Sequence, residues 1–198
     1  LIEVAAVLAA GASRRLGMPK QLLRLPGGTP LLRHSVEQAL AAGPAACAAI
    51  TGRNATAVAH TLDGLPVHLV PSQAPDEGVA ASIRAATIWA AEQHADALLL
   101  CVCDQPLLTA QHLSALLEAS RHRKRPAASF YADAHAMPAV FPRAYFPRLR
   151  ELHGDQGAAA LLATAPYVER VDWPEGELDI DTAADWARAT LALPDRKS

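Results

Sequence analysis

Residues 97–103, Ala-Leu-Leu-Leu-Cys-Val-Cys, form the most continuous apolar run in the chain and limit its fold more than any other segment. An extended segment without polar alternation has to be covered on both faces. That places it inside a mainly parallel sheet with helices on each side. The flanking segments fit this frame. Glu3–Leu8 is a short apolar run that ends in Ala-Ala-Gly and reads as a strand leading into a turn. Over residues 30–42, Leu31, Leu32, Ser35, Val36, Ala39 and Leu40 share one helical face, and Gly43-Pro44 ends it. Strands are expected at 47–51 and 67–70. Helices are expected from Asn54, as N-cap, to about 62, over 78–92, and from Thr109, as cap, to about 120. The later part reads as strands at 127–131 and 139–141 around a turn and helices at 144–152 and 157–163. A strand at 167–171 and a helix at 182–191 follow. The alternation predicts an α/β fold with a mainly parallel sheet, one domain over residues 1–193 and a polar tail at 194–198.

Composition narrows the class of function. The 198 residues suit one domain, and 51% hydrophobic with 19% charged residues supply a core rather than a disordered chain. Aromatics are 5%, so the core must rest on Ala, Leu, Val and Ile. A net charge of −2 argues against bulk binding to nucleic acid or an anionic membrane. No apolar run approaches the roughly 18 residues needed to span a bilayer. The segment opening at Leu1 carries no basic stretch or cleavage signal. The cysteines, Cys47, Cys101 and Cys103, are odd in number and lack C-x-x-C spacing, as expected of free thiols in the cytoplasm. Cys101 and Cys103 share one face of a buried strand and read as inert core residues. The basic run Arg121, His122, Arg123, Lys124, Arg125 has no interleaved aromatic and reads as a solvated helix end.

In parallel sheets ligands bind beyond the carboxyl ends of strands, which selects the loops after Leu8, Cys103 and Val171. The first reads Leu8-Ala9-Ala10-Gly11-Ala12-Ser13-Arg14-Arg15-Leu16-Gly17-Met18-Pro19-Lys20. Small residues let a ligand approach the backbone, and successive N–H groups in such a turn cradle anionic oxygens. Ser13 adds a hydroxyl donor, and Arg14, Arg15 and Lys20 add charge suited to a polyphosphate. The spacing is neither that of a Walker A loop nor that of a dinucleotide-binding loop.

Asp104 follows the 97–103 strand, where a carboxylate meets the ligand crevice and suits Mg²⁺ bound jointly with substrate phosphates. A second acidic group lies in Asp179-Ile180-Asp181-Thr182, with Thr182 placed to cap the last helix. Asp179 and Asp181 alternate on an extended segment and so share a face. Asp181 is the expected second metal ligand, with Asp179 in reserve.

The loop resembles the L-A-A-G-x-S-x-R-x-G-x-x-K signature of nucleotidyltransferases with a GT-A-like Rossmann fold, and meets each fixed position. Asp104-Gln105-Pro106-Leu107-Leu108 and the ending Asp179-Ile180-Asp181-Thr182-Ala183-Ala184-Asp185 resemble the MocA-type branch, the molybdenum cofactor cytidylyltransferases. So do the segments 77–84, 138–143 and 154–158, in the expected order. The resemblance implies a single-domain, Rossmann-like three-layer sandwich with a mainly parallel mixed sheet. It implies a Mg²⁺-dependent enzyme, with Mn²⁺ as an alternative metal, that moves CMP from CTP to molybdenum-loaded molybdopterin and releases pyrophosphate. Leu8, Ala9, Ala10, Gly11, Ala12, Ser13, Arg14, Arg15, Lys20, Gly78 and Ser82 would bind nucleotide. Lys20, Arg15 and Asp104 would be catalytic, with Lys20 at the α-phosphate and Arg15 at the leaving phosphates. Asp104 and Asp181 would hold the metal. Asp155, Gly157 and His135 are candidates for the acceptor side, and Asp155 reads equally as a helix N-cap. A molybdoenzyme of the xanthine-dehydrogenase type, or its chaperone, is the implied partner. Cys103, Ala134 and Ala136 depart from glycines common in the family. GTP or another acceptor, or a non-catalytic nucleotide-binding carrier, stay open as alternatives.

Overall fold

The computed structural model describes residues 1–11, 13 and 16–193. Its strands are β1 (Glu3–Leu8), β2 (Ala46–Thr51), β3 (His68–Pro71), β4 (Ala97–Val102), β5 (Ala127–Tyr131), β6 (Ala134–Pro142) and β7 (Glu169–Asp172). They form one seven-stranded sheet in the order β3-β2-β1-β4-β6-β5-β7. All pairings are parallel except those of β6, which runs against β4 and β5. The helices are α1 (Leu31–Ala41), α2 (Ala55–Thr61), α3 (Val79–Glu92), α4 (Ala110–Arg123), α5 (Phe146–Arg150), α6 (Ala159–Thr164) and α7 (Ala183–Ala192).

Strand alternation divides the core between the two faces of the sheet. Val4, Ala6 and Leu8 of β1 pack with α3, α5 and α6, whereas Ala5 and Val7 pack with α1, α2 and α4. On β4, Leu98 and Leu100 join the first layer and Leu99 and Cys101 the second. The result is the expected three-layer sandwich. A third, smaller core joins Leu23, Leu25 and Leu31 to Ile180 and Ala189, tying the chain around Lys20 to the C-terminal segment.

Several boundaries differ from expectation, each for a physical reason. β6 begins at Ala134 rather than near 139, because Ala132 (φ 46°) and Asp133 (φ 57°) form a tight hairpin turn. Two successive positive φ values match the right-handed twist of paired strands. The helix expected over 144–152 is instead a 3₁₀ turn, Arg143–Tyr145, followed by the short α5. Pro147 has no N–H to donate, so a helix carries it only in its first turn. Asn54 stands at the N-cap of α2 but its side chain makes no cap hydrogen bond, whereas Thr109 accepts from His112 N at 3.2 Å as expected. α4 reaches Arg123 and closes on Lys124 in the left-handed region. The basic run is therefore not simply solvated. Arg121 Nη2 donates to Glu3 Oε2 at 2.5 Å, neutralising a buried carboxylate at the start of β1, and Arg125 lies over the Tyr167 ring.

Leu99, fully buried on β4, should report the integrity of this core. Leu99→Ala is expected to lower unfolding free energy by about 2–5 kcal/mol in urea titrations. Leu191→Ala, at an 89% exposed position, should change it by no more than about 0.5 kcal/mol.

Candidate functional site

β1 and β4 are neighbours, and the segments that leave their carboxyl ends bound a cavity of about 500 Å³. Leu8, Ala10, Gly11, Ser13 and Lys20 line it from the β1 side. The loop is pinned by its own chain: Ser13 Oγ accepts from Lys20 N at 3.0 Å, and Ala9 N donates to Ile50 O at 2.9 Å. Gln21, which sequence reasoning passed over, completes the support. It is 1% exposed, and its Nε2 donates to Ala9 O at 2.7 Å and to Gly11 O at 2.9 Å. No local signal marks it, since Gln21 stands directly after Lys20 and ahead of Leu22-Leu23-Arg24. Ala9 itself turns inward and packs in the α1 and α4 layer, so its side chain is structural. Ala12, Arg14 and Arg15 lie outside the described residues, as does the polar tail, 194–198.

Lys20 reaches across the cleft. Its Nζ donates to Asp104 Oδ2 at 2.9 Å and to Asp181 Oδ1 at 3.0 Å, 84 and 161 residues away in sequence. Burial disfavours the ammonium, but Asp104 and then Asp181 outweigh that cost and raise the Lys20 pKa well above its ordinary value. Asp181 is delivered by the chain rather than by a strand. Ile180 is fully buried, and its N–H donates to Asp104 O at 2.9 Å. A capping box then fixes the start of α7. Thr182 Oγ1 accepts from Asp185 N, while Asp185 Oδ2 accepts from Thr182 N at 2.8 Å and from Asp181 N at 3.2 Å. Asp185 had no assigned role from sequence, yet it orients the backbone of Asp181. Lys20 bonds to Asp104 and Asp181, whereas Asp179 lines a second cavity of about 430 Å³. Burial, then Asp104 and Asp181, push its carboxyl pKa upward.

The far wall of the first cavity holds Gly78, Ser82 and Asp155. Gly78 has φ 119°, and a Cβ there would overlap Gly154 O and lie 2.5 Å from Asp155 Oδ1. Only glycine suits both that conformation and that contact. Ala80 N donates to Gly154 O at 3.1 Å, and Arg84 clamps Glu77 and Leu152 O, so α3 and the 152–155 segment form one wall. Asp155 therefore sits on the same cavity as the loop, and Ala158 rather than Asp155 occupies the N-cap of α6. Gly157 and His135 line neither of these two cavities, and His135 packs edge-on to Phe130 at 5.5 Å. Cys103 lines the first cavity, but burial and then Asp104 push its thiol up to about 12, so it stays a neutral thiol. Ala134 and Ala136 are paired strand residues of β6, opposite Tyr131 and Ser129.

A seven-stranded, mostly parallel sheet with an anion-suited loop after β1 and an acid after β4 defines a nucleotidyltransferase-like fold. The chain belongs to the MobA-like NTP transferase domain family, which residues 5–171 match. It is 29% identical to the purine catabolism protein PucB of Bacillus subtilis (strain 168), over 94% of this chain and 95% of that protein. The crystal structure of Rv0371c from Mycobacterium tuberculosis H37Rv is similar at 30% identity and a TM-score of 0.82, covering 96% and 97% of the two chains. A homologue of it from Mycobacterium sp. strain JC1 gives 33% identity and a TM-score of 0.81, covering 96% of each chain. Rv0371c has also been crystallised with manganese. Among the described residues no helix is long and apolar enough to cross a membrane.

Two outcomes test this construction. Gly78→Ala should cost about 1–3 kcal/mol in urea unfolding and weaken nucleotide binding in the same preparation, because the wall has to move. Asp185 is held at about 2, below its ordinary 3.8, by its bonds from Thr182 and then Arg188. Its contribution to stability is complete above about pH 4 and is lost as pH falls toward 2. The melting temperature of Asp185→Asn should accordingly fall less steeply than that of the parent between those pH values.

Proposed function

We propose that this protein transfers CMP from CTP to molybdenum-loaded molybdopterin, releasing pyrophosphate and forming molybdopterin cytosine dinucleotide. The observation that carries the reading is the Lys20 ammonium held between Asp104 and Asp181, with Lys20 and Asp104 lining the loop cavity. Two carboxylate oxygens that already share one cation are a donor set suited to Mg²⁺ or Mn²⁺, which prefer oxygen ligands and one or two carboxylates. Asp104 and Asp181 would hold that ion, whose charge would offset the negative charge of the substrate phosphates. The manganese in the Rv0371c crystals supports a divalent metal. The name of PucB places that protein in purine catabolism, which suits a recipient molybdoenzyme of the xanthine-dehydrogenase type.

The residues divide the work of an in-line displacement. The backbone of Leu8, Ala10 and Gly11, with Ser13, Gly78 and Ser82, receives nucleotide in the first cavity. Lys20 leaves its carboxylate pair to steady the α-phosphate. Arg15 would hold the leaving phosphates, as the family resemblance implies. An oxygen of the acceptor's phosphate forms a bond to the α-phosphorus, and the bond from that phosphorus to the β-phosphate oxygen breaks. Pyrophosphate carries away the electron pair. The chain's contribution is positioning and charge, and no covalent enzyme intermediate is needed.

The test is pyrophosphate release from each of the four NTPs with Mg²⁺, with and without molybdenum-loaded molybdopterin. Release with CTP that depends on the pterin supports the proposal. Release with another base moves the specificity, and binding without release from any NTP replaces the enzyme with a carrier. Lys20→Ala should lower turnover by about two to three orders of magnitude while leaving a folded protein. Asp104→Ala should abolish metal-dependent turnover. Parental rates in either variant would remove that residue from the mechanism.

A further inference from the structure

The far wall of the first cavity carries three carboxylates, and two of them are already paired with arginines. Asp76 accepts from Arg53 Nε at 2.8 Å. Glu77 accepts from Arg84 Nη1 at 2.8 Å and from Gly154 N at 3.4 Å. The side chain of Asp155, the third, has no hydrogen-bond or ion-pair partner among the described residues. We propose that Asp155 accepts hydrogen bonds from the 2′- and 3′-hydroxyls of the nucleotide's ribose and so selects a ribonucleotide. The proposal rests on the first cavity being the nucleotide site, and on neither the base nor the acceptor.

A nucleoside triphosphate brings hydrogen-bond donors in two places, the ribose hydroxyls and the N–H groups of the base. Its phosphates bring acceptors and negative charge. They suit Ser13 and Lys20 on the loop side and are repelled by Asp155. An uncommitted carboxylate facing a cationic loop therefore sets the direction in which the nucleotide lies. The two oxygens of one carboxylate match two adjacent hydroxyls. The base has a better place. Leu8 and Ala10 offer a ring buried apolar surface, whereas Asp155 is exposed at the edge of the cavity. The hydroxyl-bearing edge of the sugar then stays nearest to water.

Two features of α3 fit this assignment. A Cβ on Gly78 would lie 2.5 Å from Asp155 Oδ1, so the missing side chain lets the carboxylate sit against the start of the helix. Ser82 stands one turn further along, lines the same cavity and is 5% exposed. Its hydroxyl nevertheless has no partner among the described residues. Other helical hydroxyls here bond back to the carbonyl four residues earlier. Thr87 does so to Ile83 O at 2.7 Å on α3 itself, and Ser35 to Leu31 O at 3.1 Å on α1. A buried hydroxyl that forgoes this bond is costly unless a ligand takes it. Ser82 thus offers a donor in the depth of the wall, and Asp155 an acceptor at its edge. A nucleoside lying along the wall meets both.

The experiment is isothermal titration, with Mg²⁺ present, of the four ribonucleoside triphosphates and their 2′,3′-dideoxy counterparts. It is run on the parent chain, Asp155→Ala and Asp155→Asn. The Asp155 side chain is exposed and bonds to nothing in the chain, so both variants should keep the parental melting temperature. The parent is expected to bind its preferred ribonucleotide about tenfold more tightly than the dideoxy form. In Asp155→Ala that ratio should fall to about one. Asp155→Asn should keep part of it, because the amide retains one acceptor oxygen. A general disturbance of the cavity would weaken both forms equally and leave the ratio intact, which overturns the proposal. So does a parent that binds both forms alike. A changed ranking of the four bases in Asp155→Ala, with the ratio retained, overturns it too and sets Asp155 at the base. The choice of CTP is judged separately. A ribose preference that depends on Asp155 but appears with another base supports the assignment and moves only the base, whereas a parent that binds none of these nucleotides overturns both readings.

Discussion

Neither β1 nor β4 has a free face, and this constraint sets the position of everything else. Alternate residues of both strands are committed to opposite helical layers, so their register cannot slip by one without exposing a whole row of apolar side chains. The connections leaving their carboxyl ends diverge, because β2 lies to one side of β1 and β4 to the other. A crevice opens where chains diverge. Gly11, Ser13, Lys20 and Asp104 reach that crevice because the two strands end there.

The charge pattern inside the crevice has a different origin. Asp181 and Asp179 arrive on an irregular segment whose place depends on Ile180 filling the small third core and hydrogen-bonding to Asp104. Bringing three carboxylates to one place is unfavourable unless a cation accompanies them. Lys20 supplies that cation from the opposite side of the cleft. The site is thus assembled only when residues 161 positions apart have met, and its formation is coupled to closure of the whole domain rather than to any local element.

Much of this was legible in the sequence. The apolar run of β4, the helical face of α1 and the caps Thr109 and Thr182 each carry their signal within a few residues. So does the loop from Leu8 to Lys20, because backbone approach and positive charge are local properties. What stayed hidden depends on distant contacts. Gln21 and Gln105 are ordinary letters until one sees which carbonyls take their amide protons. Asp155 joins the first cavity because the 152–155 segment folds against Gly78, far away in sequence. The full length of β6 was masked by an Ala-Asp turn that lacks the usual Asn or Gly at its left-handed positions.

That same turn has an evolutionary consequence. Ala132 stands at the tip of the β5–β6 hairpin and on the rim of the second cavity. Residues added, removed or exchanged at such a tip alter the depth and lining of the rim without disturbing the paired strands below it. The acids and the lysine, anchored on other segments, keep their places. A lineage built on this scaffold can reshape the second cavity at a single turn, while the segments that carry Lys20, Asp104 and Asp181 are inherited unchanged.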